Sequence, residues 1–355
     1  MATIRTDHDM TRMLQGIAII FMIIHHLPIS GIDGGEPLVT SILGRYFVSN
    51  MKICVGIYTF LIGFGYYFTS KKNYHTAGLR IMRFLKRWWG LFFIIFLPIG
   101  LILDSYTPDG LSLLYNAFGL REDLNWYSWF VYVYLYSMMV MLLVAKIIER
   151  RPLIGTAALI VICFAIEVVI HMIPNWDNNE LLHAIFSTML YSPILIVGYT
   201  VCKLNLFGKL SAIIHHNVVF IGLFIFIIAI ACRALCANIM GFNLDTIYAP
   251  VVCFGLMLAL STLTSASITQ KILCLLGKLS IYMWFLHSLF FCSATNAWFI
   301  PIIKNTQSIF VVFAIVFMLT WMIAAFLSYL EKKITNQLSC RVITRFKGIV
   351  RLAKS

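Results

Sequence analysis

Ten apolar segments, each close to the length of a membrane-spanning helix, follow one another along the sequence. A helix needs about 20 residues to cross the hydrocarbon core of a bilayer, because each residue advances it by about 1.5 Å. The segments lie at residues 12–30, 51–70, 88–104, 128–146, 152–172, 184–202, 218–240, 246–264, 279–298 and 308–330. Charged residues make up 12% of the chain, against roughly 25% in a typical soluble domain. The sequence therefore predicts an all-α polytopic membrane protein with about ten transmembrane helices.

The basic residues predict how these helices are oriented. If the N-terminus is cytoplasmic, 22 of the 27 lysines and arginines fall in segments on the cytoplasmic side, four fall on the other side, and Arg233 lies inside a span. Cytoplasmic loops carry the excess of positive charge in membrane proteins, so we expect both termini in the cytoplasm. The net charge of +13 then indicates orientation and contact with lipid headgroups, not nucleic-acid binding. We expect a ten-helix membrane domain over residues 1–330 and a basic cytoplasmic tail over residues 331–355.

The first apolar segment carries a polar stripe. Gln15 and His26 are eleven residues apart, which is close to three full helical turns, so they share a face. Arg12 lies about 40° from that face, whereas His25 is turned away by about 100°. Because a buried imidazole needs a partner or a function, His26 is a candidate general base and His25 is expected to face elsewhere. A hydrogen bond from His26 to a neighbouring helix is an equally good explanation of the stripe.

A cluster of arginines lies where the third segment begins, in LRIMRFLKRWWG at residues 79–90. Arg80, Arg83 and Arg87 follow the i, i+3 and i+4 spacings that bring side chains to one helix face. Guanidinium groups suit phosphate oxygens, and each charge-assisted hydrogen bond contributes about 1.5–3 kcal/mol. The arginines are therefore a candidate phosphate site. The alternative is an ordinary cytoplasmic anchor for the following span.

Four further polar residues lie within predicted spans. Ser280 and His287 share a stripe in LGKLSIYMWFLH, residues 276–287. With the span starting at residue 279, His287 lies about 12 Å deep, nearer the cytoplasmic side. Glu167 and Arg233 each lie about 22 Å along their own spans, where an unpaired charge is costly. We expect Glu167 and Arg233 to pair in a buried structural network.

Taken together, these stretches resemble the acyltransferase-3 family of integral membrane O-acyltransferases. The chain is similar to three family motifs, in the opening helix, in an Arg-x-x-Arg pair and in a late "LGK-S" stretch. The matching residues are Gly16, Ala18, His26, Arg80, Arg83, Gly277, Ser280 and His287. Gln15 stands where relatives carry a basic residue, and Arg12, one turn away on nearly the same face, is the candidate replacement.

The resemblance implies a function for these residues. Relatives move an acyl group, most often acetyl, from cytoplasmic acyl-CoA to a hydroxyl group of a cell-surface polysaccharide or its lipid-linked precursor. For this chain it implies a multi-pass protein of the plasma (inner) membrane, in contact with lipid, with acyl-CoA as donor substrate, a saccharide acceptor, and no bound cofactor or metal. Arg80, Arg83 and Arg87 would hold the donor phosphates. His26 would be the general base, and His287 would orient the thioester carbonyl or be structural. The supporting residues would be Arg12, Gln15, Glu167, Arg233 and Ser280.

The rival interpretation is a secondary transporter or flippase without acyl-transfer chemistry. Histidine, glutamate and arginine within spans also serve proton-coupled transport. Against it, the sequence lacks the paired Gly- or Pro-interrupted spans that mark inverted repeats, and a transporter does not need an arginine face matched to phosphates. A third alternative is acylation of a small cytoplasmic or membrane-permeant molecule. Direct transfer and a covalent acyl-enzyme are both compatible with the residues.

Overall fold

The computed structural model describes residues 7–27, 41–69, 72–104, 106–107, 109–214, 217–240, 244–290 and 308–352, with side chains described except at 42–43, 237–240 and 335–352. Throughout these ranges the regular elements are helices. The α-helices are α1 (His8–His25), α2 (Ile42–Asn50), α3 (Ile53–Tyr67), α4 (Tyr74–Leu91), α5 (Leu97–Ile102), α6 (Gly110–Ala117), α7 (Trp129–Arg150), α8 (Pro152–His171), α9 (Glu180–Lys203), α10 (Leu206–Ile213), α11 (Val218–Met240), α12 (Asp245–Leu260), α13 (Ile268–Leu286) and α14 (Ile309–Leu352). A π-helical turn, Phe92–Phe96, joins α4 to α5, and a 3-10 helix, His287–Phe290, continues α13.

Several helices start at residues that satisfy their first backbone N–H groups. Asp7 accepts a hydrogen bond from the backbone of Met10 at 2.8 Å, and Asn73 caps α4 in the same way. Pro152 begins α8, where a missing N–H costs nothing. These helix starts are therefore determined by local sequence: a capping side chain or a proline at the first position.

Eight helical stretches in the described ranges are long and apolar enough to cross a membrane. They are Gly44–Tyr67, Tyr74–Ile102, Trp129–Arg150, Pro152–His171, Glu180–Lys203, Val218–Cys236, Ile268–Phe290 and Ile309–Ile334. The two remaining predicted segments, 12–30 and 246–264, correspond to α1, which carries its polar stripe, and to α12, which has 16 residues. The prediction of an all-α polytopic membrane protein is thus confirmed.

The centre of the bundle is formed by α1, α3 and α13, and α8, α11 and α14 lie at its edge. Within an 18-residue apolar stretch of each helix, only 22% of α8 and 17% of α11 is buried, against 67% of α13. The exposed side chains of the outer helices are large and apolar, as expected for surfaces that face lipid. The polar residues that matter for function are therefore to be sought along α1 and α13.

Two glycines bring α1 and α13 into direct backbone contact. A Cβ atom on Gly16 would stand 2.3 Å from the carbonyl oxygen of Leu273, and one on Gly277 would stand 1.9 Å from that of Arg12. Small residues allow such close approach between membrane helices. The two helices run in the same direction, since Asp9 contacts Gln270 and His26 contacts His287. Each histidine follows its glycine by ten residues, so the glycine contact sets both histidines at one level.

We expect Gly277→Ala to destabilise the protein by about 1–3 kcal/mol, because the added methyl group has no room against the α1 backbone. Thermal unfolding of the purified protein in detergent measures this. The matched control is Gly78→Ala in α4, where a Cβ meets nothing within 4 Å, and where alanine is intrinsically better in a helix by about 0.5–1 kcal/mol. A Gly277→Ala variant as stable as the Gly78→Ala variant would contradict the close contact.

The predicted pairing of Glu167 with Arg233 was wrong. Arg233 instead forms a bidentate ion pair with Asp245 (Nε–Oδ1 2.6 Å, Nη2–Oδ2 3.2 Å) and donates to the side-chain oxygen of Asn50 at 3.0 Å. Glu167 Oε1 is buried without a hydrogen-bond partner among the described residues. The reason is lateral position, because α8 packs against α7 and α9 whereas α11 packs against α12. Equal depth in the membrane did not make the two residues neighbours.

Candidate active site

A positively charged cavity of 640 Å³, which we call the arginine cavity, lies beside the first half of α1. Its charged and polar lining residues are Asp7, His8, Thr11, Arg12, Gln15, Tyr58, Arg80, Arg87, Tyr134, Lys278 and Ser280. Four of these are permanent cations and one is an acid. Most of the remaining lining is aromatic or aliphatic, as in Phe84 and Phe130. Such a cavity suits a ligand that joins an anionic part to a long, weakly polar part.

Two of the three predicted arginines reach this cavity. Arg80 and Arg87 are two turns apart on one face of α4 and line it, whereas Arg83 is turned away and exposed. Arg80 donates to Thr69 Oγ1 at 2.7 Å. Arg87 Nε donates to the carboxylate of Glu331 at 3.2 Å, and Tyr282 donates to the same carboxylate at 2.9 Å. The guanidinium groups are thus held at the cavity wall by partners on other elements.

A second cavity, of 400 Å³, lies at the other end of α1, and we call it the histidine cavity. Its polar and aromatic lining residues are His25, His26, Lys52, Glu122, Tyr127, Trp129, Tyr132, His183, Ser187, Tyr191 and Trp284. The ring of His26 lies 4.3 Å from that of Tyr127 and 4.9 Å from that of His287, measured between centroids. Tyr127 stacks on His287 at 4.5 Å. Three rings from three elements therefore meet at this end of the bundle.

Two expectations about the histidines were wrong. His287 lies beside His26, at the end of the bundle away from the arginines, because α13 begins at Ile268, eleven residues before the predicted start of the span. His287 is therefore about 28 Å along its helix. His25 lines the same cavity as His26, since α1 ends at His25 and the backbone turns out of the helix at His26 (φ −93°, ψ 4°). Helix phase does not separate the two residues where the helix stops.

Hydrogen bonds fix the chemistry of each imidazole. His26 Nδ1 lies 2.9 Å from the carbonyl oxygen of Met22. A carbonyl only accepts, so Nδ1 carries the hydrogen and Nε2 of the neutral ring keeps the lone pair. The same argument holds for His25, whose Nδ1 faces the Val48 carbonyl at 3.1 Å. The His26 ring is thus held in the tautomer that a general base requires at Nε2.

One layer of aromatic rings separates the two cavities. Tyr58 and Phe130 line the arginine cavity, Trp284 lines the histidine cavity, and the Trp284 ring lies 5.1 Å and 4.5 Å from the other two. Tyr58 also donates to the carbonyl of Gln15 at 3.1 Å. Ser280 lines the arginine cavity below this layer and donates to the Gly277 carbonyl at 2.9 Å. A ligand that enters from the arginine side is therefore one ring layer away from the histidines.

Sequence reasoning missed several residues of the two cavities. Lys278 stands within the LGK stretch, which was a usable signal. Tyr58 and Glu122 had no such signal, because aromatic residues are common in membrane helices and a loop has no periodicity. Tyr127 lies in the tryptophan-rich stretch NWYSWFVYVYLY, residues 125–136, which is also similar to the family. Burial, and then the neighbouring Asp123, raise the pKa of Glu122 to about 7. Glu167 and Arg233 line neither cavity.

Comparison with known protein families gives a match over most of the chain. Residues 12–328 of the 355-residue chain match a family described as an acyltransferase domain, acyltransferase 3. No curated protein and no solved structure matches the chain significantly. The matched range includes α13, residues 12–25 of α1, and the residues that line the two cavities apart from Asp7, His8 and Thr11. The chain therefore belongs to the acyltransferase-3 family and is a multi-pass membrane acyltransferase.

Proposed function

We propose that the protein transfers an acyl group, acetyl in the simplest case, from acyl-CoA to a hydroxyl group of a cell-surface polysaccharide or its lipid-linked precursor. The observation that carries this proposal is the pair of cavities along α1. One is cationic and the other holds histidines, and a single aromatic layer separates them. This arrangement gives donor and acceptor separate entrances that lead towards one reaction centre.

Acyl-CoA matches the arginine cavity in charge and in shape. Its nucleotide end carries three phosphate groups, and its pantetheine arm is long, thin and weakly polar. Arg80 and Arg87, together with Arg12 and Lys278 of the same lining, would bind the phosphate oxygens. The arm would then extend past Gln15 towards the aromatic layer. Gln15 is uncharged, so Arg12 supplies the positive charge on this face of α1.

The orientation predicted from the basic residues completes the proposal. With both termini in the cytoplasm, the arginine cavity opens to the side where acyl-CoA is made, and the histidine cavity opens to the outer surface of the plasma membrane. The aromatic layer would admit the thioester while it keeps water and larger solutes from passing. Tyr58, Phe130 and Trp284 would need to shift only their rings for this.

The chemistry needs a base more than it needs an activated electrophile, because a thioester is already reactive. His26 Nε2 would accept the proton of the acceptor hydroxyl as its oxygen attacks the thioester carbonyl carbon. Collapse of the tetrahedral intermediate breaks the C–S bond, and the proton passes from His26 to the departing CoA thiolate. A well-placed general base contributes about 10²–10⁴-fold to such a step. Nδ1 of His287 faces the Met283 carbonyl at 3.3 Å, so its Nε2 keeps the lone pair and could not donate to a thioester carbonyl, as the resemblance implies for this residue. His287 is 0% exposed and lines neither cavity; its role would be to position the His26 ring, 4.9 Å away.

The experiment that tests this function measures CoA release from acetyl-CoA by the purified protein in nanodiscs, with and without surface glycans. Mass spectrometry of glycans from cells with and without the gene identifies the acylated position. We expect acceptor-dependent CoA release and a mass gain of one acyl group. Absence of both binding and consumption of acyl-CoA would contradict the proposal and favour the transporter or flippase alternative.

The donor site gives a sharper prediction. Arg80→Ala should weaken acetyl-CoA binding by about 1.5–3 kcal/mol, roughly 10- to 150-fold, with a deficit that shrinks at high salt. Arg83→Ala is the matched control, since it removes the same charge from the same helix but outside the cavity. Isothermal calorimetry compares the two. Equal losses in both variants would show that charge near α4, and not the cavity, binds the donor.

A further inference from the structure

An open cleft of 540 Å³ adjoins the histidine cavity. It is lined by Glu122, Asp123, Trp126, Tyr127 and Trp129. Glu122, Tyr127 and Trp129 also line the histidine cavity, so the two spaces share a wall. Tyr127 is the same residue whose ring contacts His26 and His287. A molecule that reaches His26 from this side would pass along the cleft.

The segment that forms the cleft, residues 118–128, is held in one shape. Asn125 is 1% exposed; it donates to the carbonyl of Phe285 at 3.3 Å and accepts from the backbone of Tyr127 at 2.9 Å. Gly119 has a positive φ of 73°, and a Cβ there would stand 2.3 Å from the Ser128 carbonyl. The cleft is therefore tied to the end of α13, immediately before His287. A binding surface held this way loses little entropy when a ligand binds.

Trp126 gives the cleft an aromatic surface. Trp126 is 50% exposed, and the neighbouring Trp129 stacks on Tyr191 with centroids 5.4 Å apart. Exposed tryptophans also occur where a membrane protein meets lipid headgroups. Two carboxyl groups lie beside Trp126, and no cation is among the residues that line the cleft. This lining argues against a headgroup-binding role, because proteins recognise lipid headgroups through clusters of lysine and arginine.

The carboxyl groups are placed to accept hydrogen bonds from a ligand. Asp123 is oriented by Asn116, whose side-chain nitrogen donates to its Oδ2 at 2.7 Å. Glu122 lies between the cleft and the histidine cavity. The positive edges of C–H groups favour the negative face of an aromatic ring, and carboxylates are the strongest acceptors for hydroxyl groups. A flat face of C–H groups with hydroxyls at its rim is the chemistry of a sugar ring.

We propose that this cleft binds an uncharged pyranose ring of the acceptor, stacked on Trp126, with Glu122 and Asp123 accepting hydrogen bonds from its hydroxyl groups. This inference rests on the proposed function, since it assigns the acceptor of the same reaction. It also adds a restriction on the acceptor. A sugar that carries its own carboxylate at this position would meet the carboxylate of Asp123 beside the carboxyl group of Glu122 and be disfavoured.

The test is equilibrium binding of matched sugars to the full chain in nanodiscs, measured by saturation-transfer difference NMR. The probes are methyl glycosides of glucose, galactose, mannose and N-acetylglucosamine, and the methyl glucuronide and galacturonide as their charged counterparts. We expect at least one neutral glycoside to bind, with the corresponding uronide about tenfold weaker or worse. Trp126→Ala should weaken neutral binding by about tenfold. Tyr74→Ala is the control, because it removes an aromatic that is 78% exposed and lines neither the cleft nor the two cavities.

A charge test separates the carboxyl groups from the ring. In the double variant Glu122→Gln with Asp123→Asn, the preference for the neutral sugar over its uronide should fall to about twofold or less. The inference is overturned if no neutral glycoside binds to a protein that binds acetyl-CoA, if uronides bind as well as neutral sugars, or if Trp126→Ala binds normally. If the protein binds glycosides normally but neither binds nor consumes acetyl-CoA, the proposed function is contradicted. The assignment of the cleft as a sugar site is then still supported.

Discussion

Replacing His26 with alanine is expected to lower the rate of acyl transfer by about 10²–10⁴-fold, the contribution of a general base. Acyl-CoA binding should stay within about twofold of wild type, because the loss concerns proton transfer and not donor contacts. His26 lies in the histidine cavity, with the aromatic layer between it and the arginines. Single-turnover measurements of CoA release, paired with calorimetry of acetyl-CoA binding, separate the two effects.

His25→Ala is the matched control for this prediction. It removes the same group from the same cavity, but the His25 ring is tied to the Val48 carbonyl, whereas the His26 ring lies 4.9 Å from that of His287. We expect His25→Ala to keep most of the transfer rate. If His25 proved essential and His26 dispensable, the base would be the other imidazole. Full activity in both variants would show that neither histidine at the end of the first helix is the general base.

The sequence identified the helices well because the membrane imposes a simple rule on them. Length and hydropathy are local properties, and each predicted segment corresponds to a helix in the structure. Starts were less accurate for α4 and α13, where basic residues such as Lys271 and Lys278 interrupt the apolar run although the helix continues through them. That error in the start of α13 also placed His287 on the wrong side of the bundle.

Lateral neighbours were beyond the reach of local reasoning. Depth along a span can be counted from the sequence, but which helices touch depends on the packing of the whole bundle. Glu167 and Arg233 show the failure, since they were matched in depth and lie on helices that do not pack together. Gly16 and Gly277 could have indicated the close contact of α1 with α13, because small residues are typical of contacts between membrane helices. The contact itself had to come from the structure.

Among the single substitutions considered, Arg233→Leu is expected to lower the stability of the protein the most. Arg233 and Asp245 are 5% and 3% exposed, and removal of one partner leaves the other as an uncompensated buried charge, at a cost of about 3–5 kcal/mol. Arg233→Leu also deprives Asn50 of its donor. Asn50 ends α2, two residues after the Val48 carbonyl that holds His25. The same substitution should therefore loosen the wall of the histidine cavity.

A double-mutant cycle tests whether the ion pair is the cause. Arg233→Leu and Asp245→Leu should each lower the unfolding temperature strongly, and the double variant should be milder than their sum, because an apolar pair leaves no charge stranded. Glu167→Gln provides the comparison: its effect should simply add to that of Arg233→Leu, since the two side chains do not meet. Thermal unfolding in detergent compares these five variants with the wild type. Additive effects of Arg233→Leu and Asp245→Leu, or coupled effects of Arg233→Leu and Glu167→Gln, would show that the buried charges are arranged differently. Loss of the Asn50 contact would then no longer explain a change at the histidines.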